Sequence, residues 1–220
     1  GKGKGGKRRE EDEEMPEKWG ATWEQPRKET GLKLISELAP PSDKWTYVLR
    51  DDNRRSYAGF LQSPFTENQC KVFYNKVHDG TDWKQPTGSC GVVPRKTAWM
   101  TKKGCTCTYR YGGLEVESQT YPPFMLELLR AAMPHCGLKN PNDWPDSANL
   151  NLYQDGGMSV GWHADDESLF DATNRDALIV SLSLGATRSF ELRPNDSIGE
   201  ITKLRLQDGD LCTMEGLVQK

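Results

Sequence analysis

His163 and Asp165 stand one residue apart in Gly161-Trp162-His163-Ala164-Asp165-Asp166-Glu167. In an extended strand, residues i and i+2 point to the same face. An imidazole nitrogen and a carboxylate oxygen can then converge on one metal ion. Two histidines and a carboxylate on one face of an octahedron, with the other positions open, make the metal site of the non-heme Fe(II) oxygenases. This segment supplies two of those three ligands. By itself His-x-Asp is a common pair and carries little weight, but its surroundings add to it. Asn151 and Tyr153 share one face of the preceding strand, where an amide and a phenol can hydrogen-bond a small dicarboxylate beside a metal. The same two residues read equally well as outward-facing polar side chains.

The elements that must position these groups are legible in the pattern. Trp45 to Arg50 is aromatic and β-branched, which predicts a strand. Thr66 with Gln69 forms a capping box, so a helix should start there, bury Cys70, Phe73 and Val77 along one stripe, and end by Asp79-Gly80. A Lys102-Lys103-Gly104 turn precedes an alternating stretch, Cys105 to Tyr111, expected as a strand. Pro122-Pro123 opens a second, strongly apolar helix that closes near Met133-Pro134. From Asn149 onward the chain reads as strand after strand, with turns at Gln154 to Gly157, Pro194-Asn195-Asp196 and Gln207-Asp208-Gly209. Both helices precede the strand run, which argues against a parallel α/β sheet. The expected fold is mostly β with flanking helices: a double-stranded β-helix, or jelly roll, backed by two helices.

Composition sets the outer limits. The 220 residues carry a formal net charge of -3, which gives no global drive toward nucleic acid but leaves room for a local basic face. No apolar run is long enough to span a membrane, and none resembles the core of a signal peptide. Gly1 to Pro16 is a lysine/glycine run followed by glutamates, too polar to offset the entropy of ordering. Within it, Lys7-Arg8-Arg9 reads either as a nuclear address or, preferred, as part of a solvated tail. Residues 1–44 are therefore expected as a charged tail and covering segment, and 45–220 as the folded domain. The six cysteines are unevenly spaced and include no Cys-x-x-Cys pair. A zinc site built from Cys90, Cys105, Cys107 and His135-Cys136 is conceivable, and buried free thiols are the preferred reading. A reduced protein of the nucleus or cytoplasm is expected.

Three further stretches bear on the motif. Asn151-Leu152-Tyr153, then His163-Ala164-Asp165-Asp166-Glu167, then Ser183-Leu184-Gly185-Ala186-Thr187-Arg188-Ser189-Phe190 together resemble the AlkB family, the Fe(II)- and 2-oxoglutarate-dependent dioxygenases that demethylate nucleic acid. The form is most similar to eukaryotic members that repair alkylated DNA and RNA. Pro94-Arg95-x-Thr97-Ala98-Trp99 and the tyrosines at 109 and 111 add to the likeness, which runs from about Val93 to Gly216. The resemblance implies His163 and Asp165 as iron ligands and Asn151 and Tyr153 as contacts to 2-oxoglutarate. It implies Glu167 as the group facing the damaged base, whose alternative is an outward-facing acid. Trp99, Tyr109 and Tyr111 are candidates for stacking and pocket walls, although each alone reads as core. Arg95 lies in a local basic cluster with Lys96, Lys102 and Lys103, suited to phosphate contact. Arg188 either lines the cleft or pairs with an acid. The implied partners are O2 and alkylated nucleic acid, single- or double-stranded, acted on by a monomer with no membrane association. A base inside a duplex must be flipped out to be reached.

The family pattern also calls for a second histidine after Glu215-Gly216 and a later arginine for the far carboxylate of 2-oxoglutarate. His78 and His135 precede the motif and are out of order, and Arg193 and Arg205 are poor substitutes for that arginine. We therefore expect both groups beyond Lys220, and expect the 220-residue chain itself to bind iron weakly and turn over poorly. Two alternatives stand beside the dioxygenase: a catalytically inactive nucleic-acid-binding module, and a dioxygenase acting on protein side chains.

Overall fold

The computed structural model describes residues 25–196 and 199–220. The charged run from Gly1 to Pro16 lies outside them. Two short helical turns, α1 (Arg27–Thr30) and α2 (Ile35–Leu38), lead into β1 (Thr46–Asp51) and β2 (Ser56–Leu61). Next come α3 (Glu67–Gly80), the two-residue β3 (Thr87–Gly88) and β4 (Gly91–Val92), then β5 (Lys96–Thr101), β6 (Tyr109–Tyr111), β7 (Leu114–Val116) and β8 (Gln119–Thr120). After α4 (Pro123–Ala132) the chain is strands alone apart from short 3-10 turns: β9 (Ser147–Leu152), β10 (Ala177–Leu182), β11 (Arg188–Leu192), β12 (Thr202–Leu206) and β13 (Leu211–Gly216). The class is mostly β with flanking helices.

Two sheets flank the His163–Asp165 segment in the chain order and frame its neighbours. One has the order β1-β2-β13-β10 and the other β8-β5-β9, while β11 pairs with β12 in a hairpin of its own. No barrel is closed among the described residues. In the second sheet, antiparallel pairing sets Thr97 opposite Asn151 and Trp99 opposite Asn149. Helix α4 buries Phe124, Met125, Leu128, Leu129 and Ala132 against Leu61, Phe73, Ala98, Met100 and Leu211. Each large apolar side chain so buried contributes about 1.5–3 kcal/mol.

Helix α3 begins where the capping box requires. Thr66 accepts from the Gln69 amide at 3.2 Å, and the Gln69 side chain accepts from the Thr66 amide at 2.9 Å. Thr66→Ala removes one partner of the box and should lower stability by about 1 kcal/mol, read as a shift in the urea midpoint with unchanged slope.

The structure departs from the expectation in four places. Strand β2 has no counterpart in the sequence pattern, because its central position leaves Tyr57, Ala58 and Gly59 buried in succession and a strand covered on both faces loses its alternation. Residues 105–108 are not a strand. Cys105 closes a turn onto Lys102, while Thr101 Oγ1 and Trp99 Nε1 capture the carbonyls of Cys105 and Cys107 that a ladder would have used. The covering segment reaches the core, since Leu34 and Ile35 are each 1% exposed. Finally, only Cys70, Cys136 and Cys212 are buried thiols, and among the described residues no three His, Cys, Asp or Glu side chains cluster as a metal site.

Candidate functional site

Strand β9 ends at Leu152, and the chain then runs without regular structure from 159 to 167. His163 and Asp165 thus sit on an irregular segment, not on the strand expected for them. They converge all the same: His163 Nε2 is 3.7 Å from Asp165 Oδ1. The other ring nitrogen, Nδ1, lies 2.8 Å from the Gly161 carbonyl. A carbonyl only accepts, so Nδ1 donates to it, which turns Nε2 toward Asp165. An imidazole nitrogen and a carboxylate facing each other are the donor types that a cation takes. The fit to an Fe(II)-type ion is good in ligand chemistry, one imidazole nitrogen and one carboxylate oxygen, and two-membered among the described residues. His78 and His135 lie apart from it, bonded to Asp79 and Asp43.

Burial raises the Asp165 carboxyl above its ordinary range, with His163 opposing and Asp166 adding to the shift. Its backbone amide donates to Gln219 Oε1 at 2.8 Å. Gln219 is itself buried at 6% exposure and follows β13, so the central sheet fixes one end of the ligand segment. Nothing in the sequence pattern marks Gln219 for this task.

A second group of side chains, around the end of β9, is cationic. Arg95 Nε donates to Asn151 Oδ1 at 2.8 Å, and the Arg188 guanidinium lies 4.4 Å from the centre of the Tyr153 ring. Arg188 also donates to the carbonyls of Asp155 and Met158. Among the described residues it pairs with no acid and instead clamps the turn after β9. Burial raises the Tyr153 phenol, and Arg95 and Arg188 both pull it back. Two guanidiniums, an amide and a phenol suit a small carboxylate-bearing molecule. Arg95 is 9% exposed and committed to Asn151, and Lys96 is half-buried, which leaves Lys102 and Lys103, both exposed, as the most open phosphate contacts of the basic cluster. Arg193 instead stacks over Trp162 at 4.2 Å.

A cluster of rings reaches the segment through Tyr109 and Glu167. Trp99 stacks on Tyr109 at 4.8 Å, Tyr109 lies 5.1 Å from Tyr111, and Phe170, unmarked in the sequence pattern, meets both Trp99 and Tyr109. Trp99 and Tyr109 are 2% and 4% exposed, so they serve as wall and not as free stacking platforms. Tyr109 donates to Glu167 Oε1 at 3.0 Å. That bond, and the half-burial of Glu167, set aside the outward-facing acid. Burial raises both the Glu167 carboxyl and the Tyr109 phenol. Three buried polar atoms have no partner among the described residues: Glu167 Oε2, Tyr111 OH and Thr97 Oγ1. Buried polar atoms are nearly always paired. Three orphans on the segment, on β6 and on β5 opposite Asn151 suit a site completed by a polar ligand.

The sequence model described as the 2OG-Fe(II) oxygenase superfamily matches residues 56–220. The human alpha-ketoglutarate-dependent dioxygenase alkB homolog 3 is 34% identical over 149 residues, which cover 62% of this chain and 48% of that protein. A DNA oxidative demethylase of Arabidopsis thaliana is 28% identical over 140 residues, 61% of this chain and 42% of its own length. The alpha-ketoglutarate-dependent dioxygenase AlkB homolog of Caulobacter vibrioides is 26% identical over 199 residues, 84% of this chain and 79% of its own length. The chain spans about half the length of the human relative it matches.

Proposed function

The chain belongs to the 2OG-Fe(II) oxygenase superfamily, and on that premise we propose that it performs oxidative demethylation of N-alkylated bases in DNA or RNA. Formaldehyde, succinate and CO2 are the products. The observation that carries the reading is the facing pair His163 Nε2 and Asp165 Oδ1.

Each part of the chain has a task in this reading. His163 and Asp165 would hold Fe(II), and Arg95, Asn151, Tyr153 and Arg188 would receive 2-oxoglutarate. Fe(II) with 2-oxoglutarate and O2 supplies the oxidising power that hydroxylates the N-methyl carbon. Glu167 Oε2 accepts from an exocyclic amino group or faces a cationic methylated ring. Tyr109 fixes Glu167, and Trp99, Tyr111 and Phe170 shield the reacting position from water. Lys102 and Lys103 meet the phosphate backbone. In architecture we propose a double-stranded β-helix in which the β10–β13 pair and the β11–β12 hairpin form opposite faces, acting as a monomer in the nucleus or cytoplasm. Domain 45–220, with residues 1–44 as its tail, is part of the same reading.

The test is turnover of methylated oligonucleotides, unmethylated oligonucleotides and methylated peptides by the full-length protein, with succinate and formaldehyde as readouts. Succinate coupled to formaldehyde on methylated oligonucleotides is the expected result. Turnover on peptides alone would overturn it in favour of a protein dioxygenase. Oligonucleotide binding without succinate would favour the inactive binding module. Gln219→Ala should weaken binding of Mn(II), a redox-inert stand-in for Fe(II), by about 10–100-fold, because the Asp165 amide loses its anchor. Titration calorimetry measures it.

A further inference from the structure

The loop from β5 to β6 holds Cys105 and Cys107 with their sulfurs 2.7 Å apart. Cys107 is exposed and Cys105 partly so. The remaining thiols differ. Cys70, Cys136 and Cys212 are buried, and burial pushes Cys136 and Cys212 up to about 12, which leaves almost no thiolate at neutral pH. Cys90 is exposed, but its sulfur faces the Ser89 hydroxyl. Among the described residues, the Cys105–Cys107 pair alone combines solvent access with a thiol already in contact.

We propose that Cys105 and Cys107 are a redox modification site, a dithiol that a hydroperoxide closes to an intraloop disulfide and a thiol reductant reopens. The geometry favours ring closure. Cα atoms two residues apart cannot separate beyond about 7 Å, and disulfides take Cα separations of about 4.4–6.8 Å. Both carbonyls of the pair are pinned to β5, Cys105 O by Thr101 Oγ1 at 2.8 Å and Cys107 O by Trp99 Nε1 at 2.7 Å. The two sulfurs are thereby held together without a helix or ladder around them. Contact with the Cys107 side chain, then with its backbone, and, least, the charge of Lys102 hold the Cys105 thiol below the ordinary range, so the sequence of steps is written with Cys105 attacking first.

The chemistry balances in two steps. The Cys105 thiolate attacks one oxygen of the hydroperoxide. The O–O bond breaks, the other oxygen leaves as alkoxide or hydroxide and takes up a proton, and Cys105 becomes a sulfenic acid. The Cys107 sulfur then attacks the Cys105 sulfur. The S–O bond breaks, and hydroxide leaves and collects the Cys107 proton as water. Two thiols and one hydroperoxide give one disulfide, one water, and one alcohol or second water. The sulfurs lose the two electrons that the peroxide gains. This chemistry is independent of the proposed demethylation.

Trypsin cuts after Lys103 and Arg110, which releases Gly104–Arg110 with both cysteines and no other. The whole chain is treated with hydrogen peroxide in chelator, then denatured, alkylated, digested and measured by mass spectrometry. The expected result is a Gly104–Arg110 peptide lighter by two hydrogens and unalkylated, which takes two alkyl groups when dithiothreitol precedes alkylation. The peptide holding Cys90 stays alkylated. In a Cys107→Ser chain, Cys105 should be trapped by dimedone as a sulfenic acid with no disulfide formed. The proposal is overturned if Cys90 oxidises while Gly104–Arg110 remains fully alkylated. It is equally overturned if Cys105 proceeds to sulfinic acid beside a free Cys107, or if the pair crosslinks two chains instead of closing.

Discussion

Glu215→Ala will cost the fold about 3–5 kcal/mol through stranded donors and a cavity, a large share of the roughly 5–15 kcal/mol that holds a domain together. Glu215 is 1% exposed on β13. Its Oε2 accepts from the buried amide of Ile35 at 2.9 Å, and its Oε1 accepts from Tyr47 OH at 2.9 Å and from Thr213 Oγ1 at 2.6 Å. One carboxylate thus ties α2, β1 and its own strand into the central sheet. Alanine leaves three buried donors without an acceptor and opens a cavity, two penalties that add. Glu215→Gln separates them. Its amide oxygen can keep the Ile35 N–H, and its NH2 can donate to the two hydroxyls, which rotate to accept. Glutamine should therefore cost about 1–2 kcal/mol. Urea unfolding followed by far-UV circular dichroism decides the matter. Equal losses for alanine and glutamine would show that charge, and not hydrogen bonding, is what the position needs.

What the sequence discloses and what it withholds divide along the range of the contacts. Helix α3 is legible because Thr66 and Gln69 satisfy each other three residues apart. Helix α4 is legible from its prolines and its apolar stripe. The pairing of His163 with Asp165 is legible from their spacing, although the strand invoked to explain it is not there. Local irregularity at Gly161 does the same work by fixing the imidazole through its other nitrogen. By contrast, Glu215 with Ile35, Gln219 with Asp165 and Tyr109 with Glu167 join residues 180, 54 and 58 positions apart. No periodicity signals such pairs. Arg55 is the extreme case: a fully buried arginine at positive φ whose Nε donates to Asp176 at 2.7 Å. Composition would have placed such a residue at the surface. For the rings the sequence leaves stacking, pocket wall and core open together, and burial narrows Trp99 and Tyr109 to walls closed to solvent.

Asp165→Ala will have the opposite profile to Glu215→Ala: metal binding lost, stability kept or raised. Asp165 is largely buried, and its desolvation is offset in part by His163 and worsened by Asp166. Among the described residues, the side chain that approaches its carboxylate is the His163 imidazole, at 3.7 Å. A desolvated charge with so little compensation stores energy in the apo fold, and removing it relieves that cost. The backbone there survives the substitution, because Gln219 holds it through the Asp165 amide and not through the side chain. Binding fares otherwise. Loss of a group that merely orients a ligand typically costs about 10–100-fold in metal affinity, and loss of one of two protein ligands should exceed the upper figure. Mn(II) affinity should fall more than about 100-fold, and succinate formation should drop to background. The melting temperature should stay level or rise. Unchanged Mn(II) affinity would remove Asp165 from the metal site. Destabilisation of more than about 2 kcal/mol would make it a structural acid like Glu215, because a buried carboxylate is costly to delete when the fold has donors waiting for it.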